Sequence, residues 1–77
     1  MLLEVCILNS EKVIFEGKAK SLILPGEEGV FEILPFHKDI ISRLIAGNLI
    51  LNNQKVYPIR RGVVKVEKNK ATVLVEE

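Results

Sequence analysis

Leu24-Pro25-Gly26-Glu27-Glu28-Gly29-Val30-Phe31-Glu32-Ile33-Leu34-Pro35-Phe36-His37 is the stretch whose reading decides the fold. Leu24 to Gly26 ends one strand, because Pro presets the first corner of a turn and Gly accepts a positive φ. Gly29 lets the chain re-enter extended structure. Phe31 and Ile33 then point one way and Glu32 the other, the period-two signature of a half-buried strand. Leu34 precedes a proline and is held extended. The turn and strand are structural, so the polar groups left for contacts are Glu27, Glu28, Glu32 and His37. They carry no visible reaction chemistry.

Working outward, the same grammar repeats. Leu2 to Leu8 is apolar on both parities and predicts a central strand. Asn9-Ser10-Glu11-Lys12 reads as a hairpin loop. Val13-Ile14-Phe15 returns and is expected to end at Gly17, and Lys18 to Leu24 forms the next strand. His37 to Ile45 is ambiguous: Ile40, Ile41, Leu44 and Ile45 fall at helical spacing, yet Ile40 and Ile41 also suit a strand. About nine residues are short for a helix standing alone, so an extended segment with at most one helical turn is expected. Asn48 to Leu51 and Lys55 to Ile59 flank Asn52-Asn53-Gln54, residues that tolerate the left-handed conformation. Pro58 lacks an amide donor and predicts an edge strand or a strand start. Arg60-Arg61-Gly62 reads as a break or bulge. Val63 to Glu67, Lys68-Asn69-Lys70 and Ala71 to Val75 form the clearest hairpin. About nine short strands at spacings of roughly 8–10 residues predict an all-β sandwich or flattened barrel, with no helix required.

Composition bounds the function. A chain of 77 residues is one small domain, 1–77. Such a domain buries only about 60% of its unfolded surface. Hydrophobic residues make up 48%, which excludes disorder from a shortage of apolar surface. A net charge of +1 creates no global field toward nucleic acid or membrane. The single cysteine, Cys6, cannot form an internal disulfide and favours a cytosolic setting. It sits in an apolar run away from basic groups, so a buried structural thiol is expected. Met1-Leu2-Leu3-Glu4 has no charged leader region and does not read as a signal peptide. No apolar stretch approaches the ~20 residues of a membrane-spanning helix.

One His and one Cys cannot supply the several ligands a metal site needs. Gly26 and Gly29 frame two glutamates, which would repel phosphate. Cys6 and His37 make an unconvincing nucleophile and base, since nothing brings them together and the cysteine lies in an apolar run. Arg60-Arg61 lacks the interleaved aromatics of RNA platforms. A binding or coupling module is the expected class, with no enzyme activity, no cofactor and no metal.

The order of these features resembles a known family. Val13-Ile14-Phe15-Glu16-Gly17, Ser21-Leu22-Ile23-Leu24-Pro25-Gly26 and Glu28-Gly29-Val30-Phe31-Glu32-Ile33-Leu34-Pro35-Phe36-His37 are similar to the epsilon subunit of the bacterial F-type ATP synthase. Gly47-Asn48-Leu49-Ile50 and Gly62-Val63-Val64-Lys65-Val66 through Asn69-Lys70-Ala71-Thr72-Val73-Leu74 extend the resemblance across the chain. It implies a flattened sandwich of two five-stranded antiparallel sheets. It also implies a non-catalytic subunit in the central stalk, bound to the gamma subunit and the c-ring, that couples proton flow to ATP synthesis. The location implied is peripheral, on the cytoplasmic face of the inner (plasma) membrane, with no nucleic acid and no homo-oligomer. On this reading Glu27, Glu28, Val30, Glu32 and His37 are c-ring candidates. Phe36, Ile40, Ile41 and Leu44 are exposed apolar candidates for gamma. Three departures stand inside the resemblance. Glu32 and Phe36 occupy positions usually Gly, Val30 replaces a common carboxylate, and Arg60-Arg61-Gly62 replaces Ser-Gly-Gly. The family's C-terminal helical hairpin has no counterpart in these 77 residues, so inhibition through that hairpin and an ATP site are not expected. The rival class is a small cytosolic β-barrel that binds RNA or protein, with Arg60, Arg61, Lys65, Lys68 and Lys70 as its basic edge.

Overall fold

The computed structural model describes residues 1–77. Nine strands follow in order: β1 (Leu3–Leu8), β2 (Val13–Ala19), β3 (Leu22–Gly26), β4 (Gly29–Ile33), β5 (Ile40–Leu44), β6 (Gly47–Leu51), β7 (Lys55–Ile59), β8 (Arg61–Glu67) and β9 (Lys70–Glu76). They form two layers. One runs β2-β1-β9-β8-β5, and the other runs β4-β3-β6-β7. A single bridge, Gly26 opposite Leu44, joins them into one curled sheet. The class is all-β, as the strand spacing predicts. The layers hold five and four strands rather than five and five, because Ile40 to Leu51 crosses from one to the other. Its first half pairs with β8 and its second half with β3 and β7. One pair also runs parallel: β1 lies beside β9, joining the first strand to the last.

The core follows from alternation. Leu3, Val5 and Ile7 of β1, Val64 and Val66 of β8, and Ala71, Val73 and Val75 of β9 face inward from the first layer. Leu22, Leu24, Ile33, Leu49, Leu51 and Ile59 meet them from the second. All belong to one cluster of 16 buried apolar residues. Each side chain fully removed from water contributes roughly 1.5–3 kcal/mol, so the cluster dominates the stability of so short a chain. Cys6 is half-buried rather than buried. Leu3, Val5 and Ile7 occupy the inner face of β1, so the residue between them is turned outward.

Turn chemistry sets the register. Lys68 and Asn69 take φ of 51° and 63° in the two-residue β8–β9 turn. Asn52 and Asn53 take 55° and 57° between β6 and β7. Both turns therefore twist in the sense that paired strands require. In the Asn9 loop the side-chain Oδ1 accepts the amides of Glu11 and Lys12, each at 2.8 Å. β7 is an edge strand, as Pro58 predicts.

One boundary differs from expectation. β2 does not end at Gly17 but continues to Ala19, and β3 begins only at Leu22. Gly17 pairs with Val5 in mid-ladder, and the Phe15 ring lies over it, 3.2 Å from where a Cβ would stand. The ring supplies the packing that glycine lacks, so the strand is not interrupted. The His37 to Ile45 stretch resolves as the strand β5 with no helical turn.

Candidate docking surfaces

The opening stretch becomes the β3–β4 hairpin, with register Leu22–Ile33 through Gly26–Gly29. Glu27 and Glu28 form its tip, and Gly29 takes φ 131°, which excuses both glutamates from an unfavourable backbone. Gly26 is buried under Phe31, and an added Cβ would stand 2.7 Å from that ring. The tip is thus anchored from below by a glycine–aromatic contact. Val30 and Glu32 share the outward face of β4, an edge strand, and Val30 is 74% exposed. Neither Glu27, Glu28 nor Glu32 takes part in the two ion pairs of the molecule. Their charges are free to face a partner.

His37 does not join this group. It lies beyond the far end of β4, which spans about 13 Å at ~3.3 Å per residue. There it is a hydrogen-bonded turn residue. Its amide donates to the Leu34 carbonyl at 3.1 Å, and its Nδ1 donates to the Lys38 carbonyl at 2.7 Å. The c-ring candidates therefore divide into Glu27, Glu28, Val30 and Glu32 on one side and His37 on the other.

The apolar candidates also divide. Phe36 is 64% exposed and Ile41 73% exposed. Ile40 is half-buried and packs against the core. Leu44 corrects the sequence reading: it is 3% exposed, a core residue. The reason is the bridge to Gly26, which draws the end of β5 between the layers. A groove of about 640 Å³ runs between the hairpin tip and β5, lined among others by Glu27, Val30, Phe31, Ile41 and Arg43.

A surface not singled out from sequence lies across the outer face of the five-stranded layer. Arg43 is opposite Val63, Val63 opposite Leu74, Leu74 opposite Leu8, and Leu8 opposite Val13. Val13, Val63 and Leu74 are exposed and Leu8 is half-buried, so an apolar row crosses the layer in register. Ile41, one row over, extends it beside Lys65. The signal was present in the chain as strands apolar on both parities. Only pairing registers could align those residues into a row.

Phe36 stands in an unusual backbone. Its φ is 65°, in the left-handed region that costs an ordinary residue about 1–2 kcal/mol. Its amide donates to Asn69 Oδ1 at 2.7 Å. No group of three or more His, Cys, Asp or Glu is placed to hold a metal ion. No helix is long and apolar enough to cross a membrane.

The fold defines a small two-layer all-β domain with an acidic hairpin tip and an apolar outer row. Comparison with known proteins makes this specific. Residues 2–77 match the family model described as ATP synthase, Delta/Epsilon chain, beta-sandwich domain. The chain is 34% identical over 77 residues to the ATP synthase epsilon chain of Leptospira interrogans, covering 96% of this chain and 61% of that protein. It is 40% identical over 78 residues to that of Sulfurimonas denitrificans, covering 96% and 60%. With the chloroplastic epsilon chain of Tetradesmus obliquus it shares 35% over 80 residues, covering 100% and 59%. The fold matches a chain of the Tetrahymena thermophila mitochondrial ATP synthase central stalk/c-ring structure with TM-score 0.82 at 15% identity, covering 96% of this chain and 63% of that one. It matches a chain of the Euglena gracilis mitochondrial ATP synthase OSCP/F1/c-ring structure with TM-score 0.88 at 17% identity, covering 99% and 51%. The chain belongs to the ATP synthase delta/epsilon beta-sandwich family. It spans about three fifths of the length of the curated relatives it matches.

Proposed function

We propose that this domain is a non-catalytic element of the central stalk of an F-type ATP synthase. It docks on the gamma subunit and the c-ring and couples proton translocation to ATP synthesis. The apolar row Val63–Leu74–Leu8–Val13, with Ile41 beside it, carries the reading. An apolar patch with a polar rim is what a stable protein interface needs. The row is assigned to gamma. The free carboxylates Glu27, Glu28 and Glu32 are assigned to basic loops of the c-ring, where they orient more than they bind. Transmission of torque needs no chemistry in this domain. A close-packed core is poorly compressible and passes on force applied at one face. The location follows from the partners: peripheral, held at the cytoplasmic face of the membrane by the complex.

The rival reading, an RNA-binding module, is weakened at its own residues. Arg61 pairs with Glu76 at 2.7 Å and Lys65 with Glu67 at 3.5 Å, so two of its five basic groups face carboxylates of the same chain. Capture on immobilised gamma tests the proposal. The unmodified domain is expected to bind, and Ile41→Asp with Leu74→Asp is expected to abolish binding while the strands persist by circular dichroism. Full binding by the folded double variant would remove the row from the interface.

A further inference from the structure

We propose that the free edge of β4 is a strand-addition site for an extended partner segment that alternates basic and apolar residues. The inference does not depend on the assignment of the apolar row to gamma or of the carboxylates to the c-ring. Two layers that do not close into a barrel leave the edge strands β2, β5, β4 and β7. Three of them are guarded in ways that keep an edge from pairing. β2 has a register shift at Ile7/Leu8 and carries Lys18. β7 carries Lys55 and Pro58. β5 carries Arg43 and is stitched to β3 by the Leu44–Gly26 bridge. Just beyond it, the Ile45 amide donates to the Pro25 carbonyl at 2.8 Å. β4 has no Pro, Lys or Arg, and its whole length pairs with β3 without a shift.

The free backbone groups follow from the register. Pro25 turns its carbonyl away from β4, toward Ile45, and has no N–H to give. Its opposite, Val30, therefore belongs to a pair without mutual ladder bonds. It turns its own N–H and C=O to the open side, as does Glu32 two residues on. Neither residue takes part in a backbone bond outside the ladder. Side chains then select the occupant. In a strand laid along this edge, alternate residues face outward beside Val30 and Glu32 or inward beside Phe31. Inward lies the groove between the hairpin and β5, where Phe31 and Ile40 pack against the core but are only half-buried. Apolar side chains fit there. Outward stands Glu32, with Glu27 and Glu28 at the tip, none of them in an ion pair. Lys or Arg fits there. A second copy fits poorly, because β4 against β4 brings the same three carboxylates together from each chain, and like charges across strands destabilise the pair. Main-chain bonds give such a complex its affinity, and the alternating side chains give it specificity.

The test uses the whole chain and a short end-blocked peptide of alternating Lys and Val. Amide exchange by NMR reads the edge, and titration reads affinity. With the peptide at saturation, the Val30 and Glu32 amides are expected to exchange at least tenfold slower, while those of β2 and β7 are unchanged. The fully N-methylated peptide keeps the charges and side chains but offers no donors, and is expected to bind at least tenfold weaker. A peptide with Glu in place of Lys is expected to bind at least tenfold weaker too. Absence of binding by the Lys–Val peptide overturns the proposal, as does unchanged exchange at Val30 and Glu32. Equal binding by the N-methylated peptide also overturns it, and leaves an acidic edge that acts through charge alone. Exchange that slows with protein concentration in the absence of peptide gives the edge to a second copy and overturns the choice of occupant. On the protein, Val30→Pro removes a free donor and no ladder bond, so it is expected to melt normally and to bind about tenfold weaker. Full binding by this variant contradicts strand addition, and the N-methylated peptide decides the matter if the variant does not fold.

Discussion

Phe36 shows how one side chain can be at odds with its backbone: it holds the positive-φ corner of the Leu34–His37 turn. At φ 65° a glycine would carry no Cβ penalty, so Phe36→Gly is expected to be more stable than Phe36→Ala by about 1 kcal/mol. In a domain of this size that is a difference of about 4–8 °C in melting temperature. Equal melting temperatures would remove the strain argument. Gly26 is the opposite case, where absence of a side chain is required. A Cβ there meets the Phe31 ring at 2.7 Å and the Gly29 carbonyl at 2.9 Å. Gly26→Ala is expected to cost about 1–3 kcal/mol in urea denaturation, as overpacking does. A hairpin after Leu24 was legible in the sequence, but its corner was not: Pro25 and Gly26 stay in the ladder opposite Val30 and Gly29, the corner is Glu27-Glu28, and the positive φ falls on Gly29 rather than Gly26. The Phe36 conformation had a local signal, Pro35 before a position usually Gly, and the Leu34–His37 turn sets it; only the partner of its amide, Asn69, 33 residues away, was out of reach.

Among the elements, β5 is the most instructive. Its periodicity suited either helix or strand, and the shortness of the nine residues His37 to Ile45 favoured strand. The structure agrees, because β8 offers a five-residue ladder from Ile40–Val66 to Leu44–Gly62. Which of its apolar residues point inward could not be read locally. Leu44→Ala is expected to cost about 2–5 kcal/mol, and Ile41→Ala to stay within about 0.5 kcal/mol of the starting stability. Similar losses at the two sites would contradict the assignment of faces. The β3–β4 hairpin carries the complementary prediction. Glu28→Lys with Glu32→Lys alters exposed, unpaired positions, so the domain should melt normally. In a reconstituted complex it should lower proton-driven ATP synthesis, and an unchanged rate would argue against an acidic docking edge.

The whole molecule is tied together by non-local pairs. β9, last in the chain, lies between β1 and β8 in the middle of its layer. Removing residues 73–77 should therefore abolish the fold rather than fray an end, with loss of the strand signal in far-UV circular dichroism. A cooperative melt in the shortened chain would refute this. The same closure gives a domain of this size the rigidity that the proposed coupling role requires. Its two layers share one core, and β1 and β9 lie side by side.

Strands, hairpin turns and the all-β class were written in local chemistry: period-two alternation, Pro35 at a corner, Gly29 and the Asn residues where φ is positive. So was the family, through the spacing of the Leu24–His37 run. Neighbouring residues restrict one another's backbones directly, which is why these features survive in a one-dimensional reading. The five-and-four division of the sheet, the parallel β1–β9 pair and the burial of Leu44 arise from contacts between distant segments. The alignment of Val13, Leu8, Leu74 and Val63 and the grip of Asn69 on Phe36 do too. Alternation says only that a strand has two faces. Which face is covered, and what it lies beside, is decided when the strands pair.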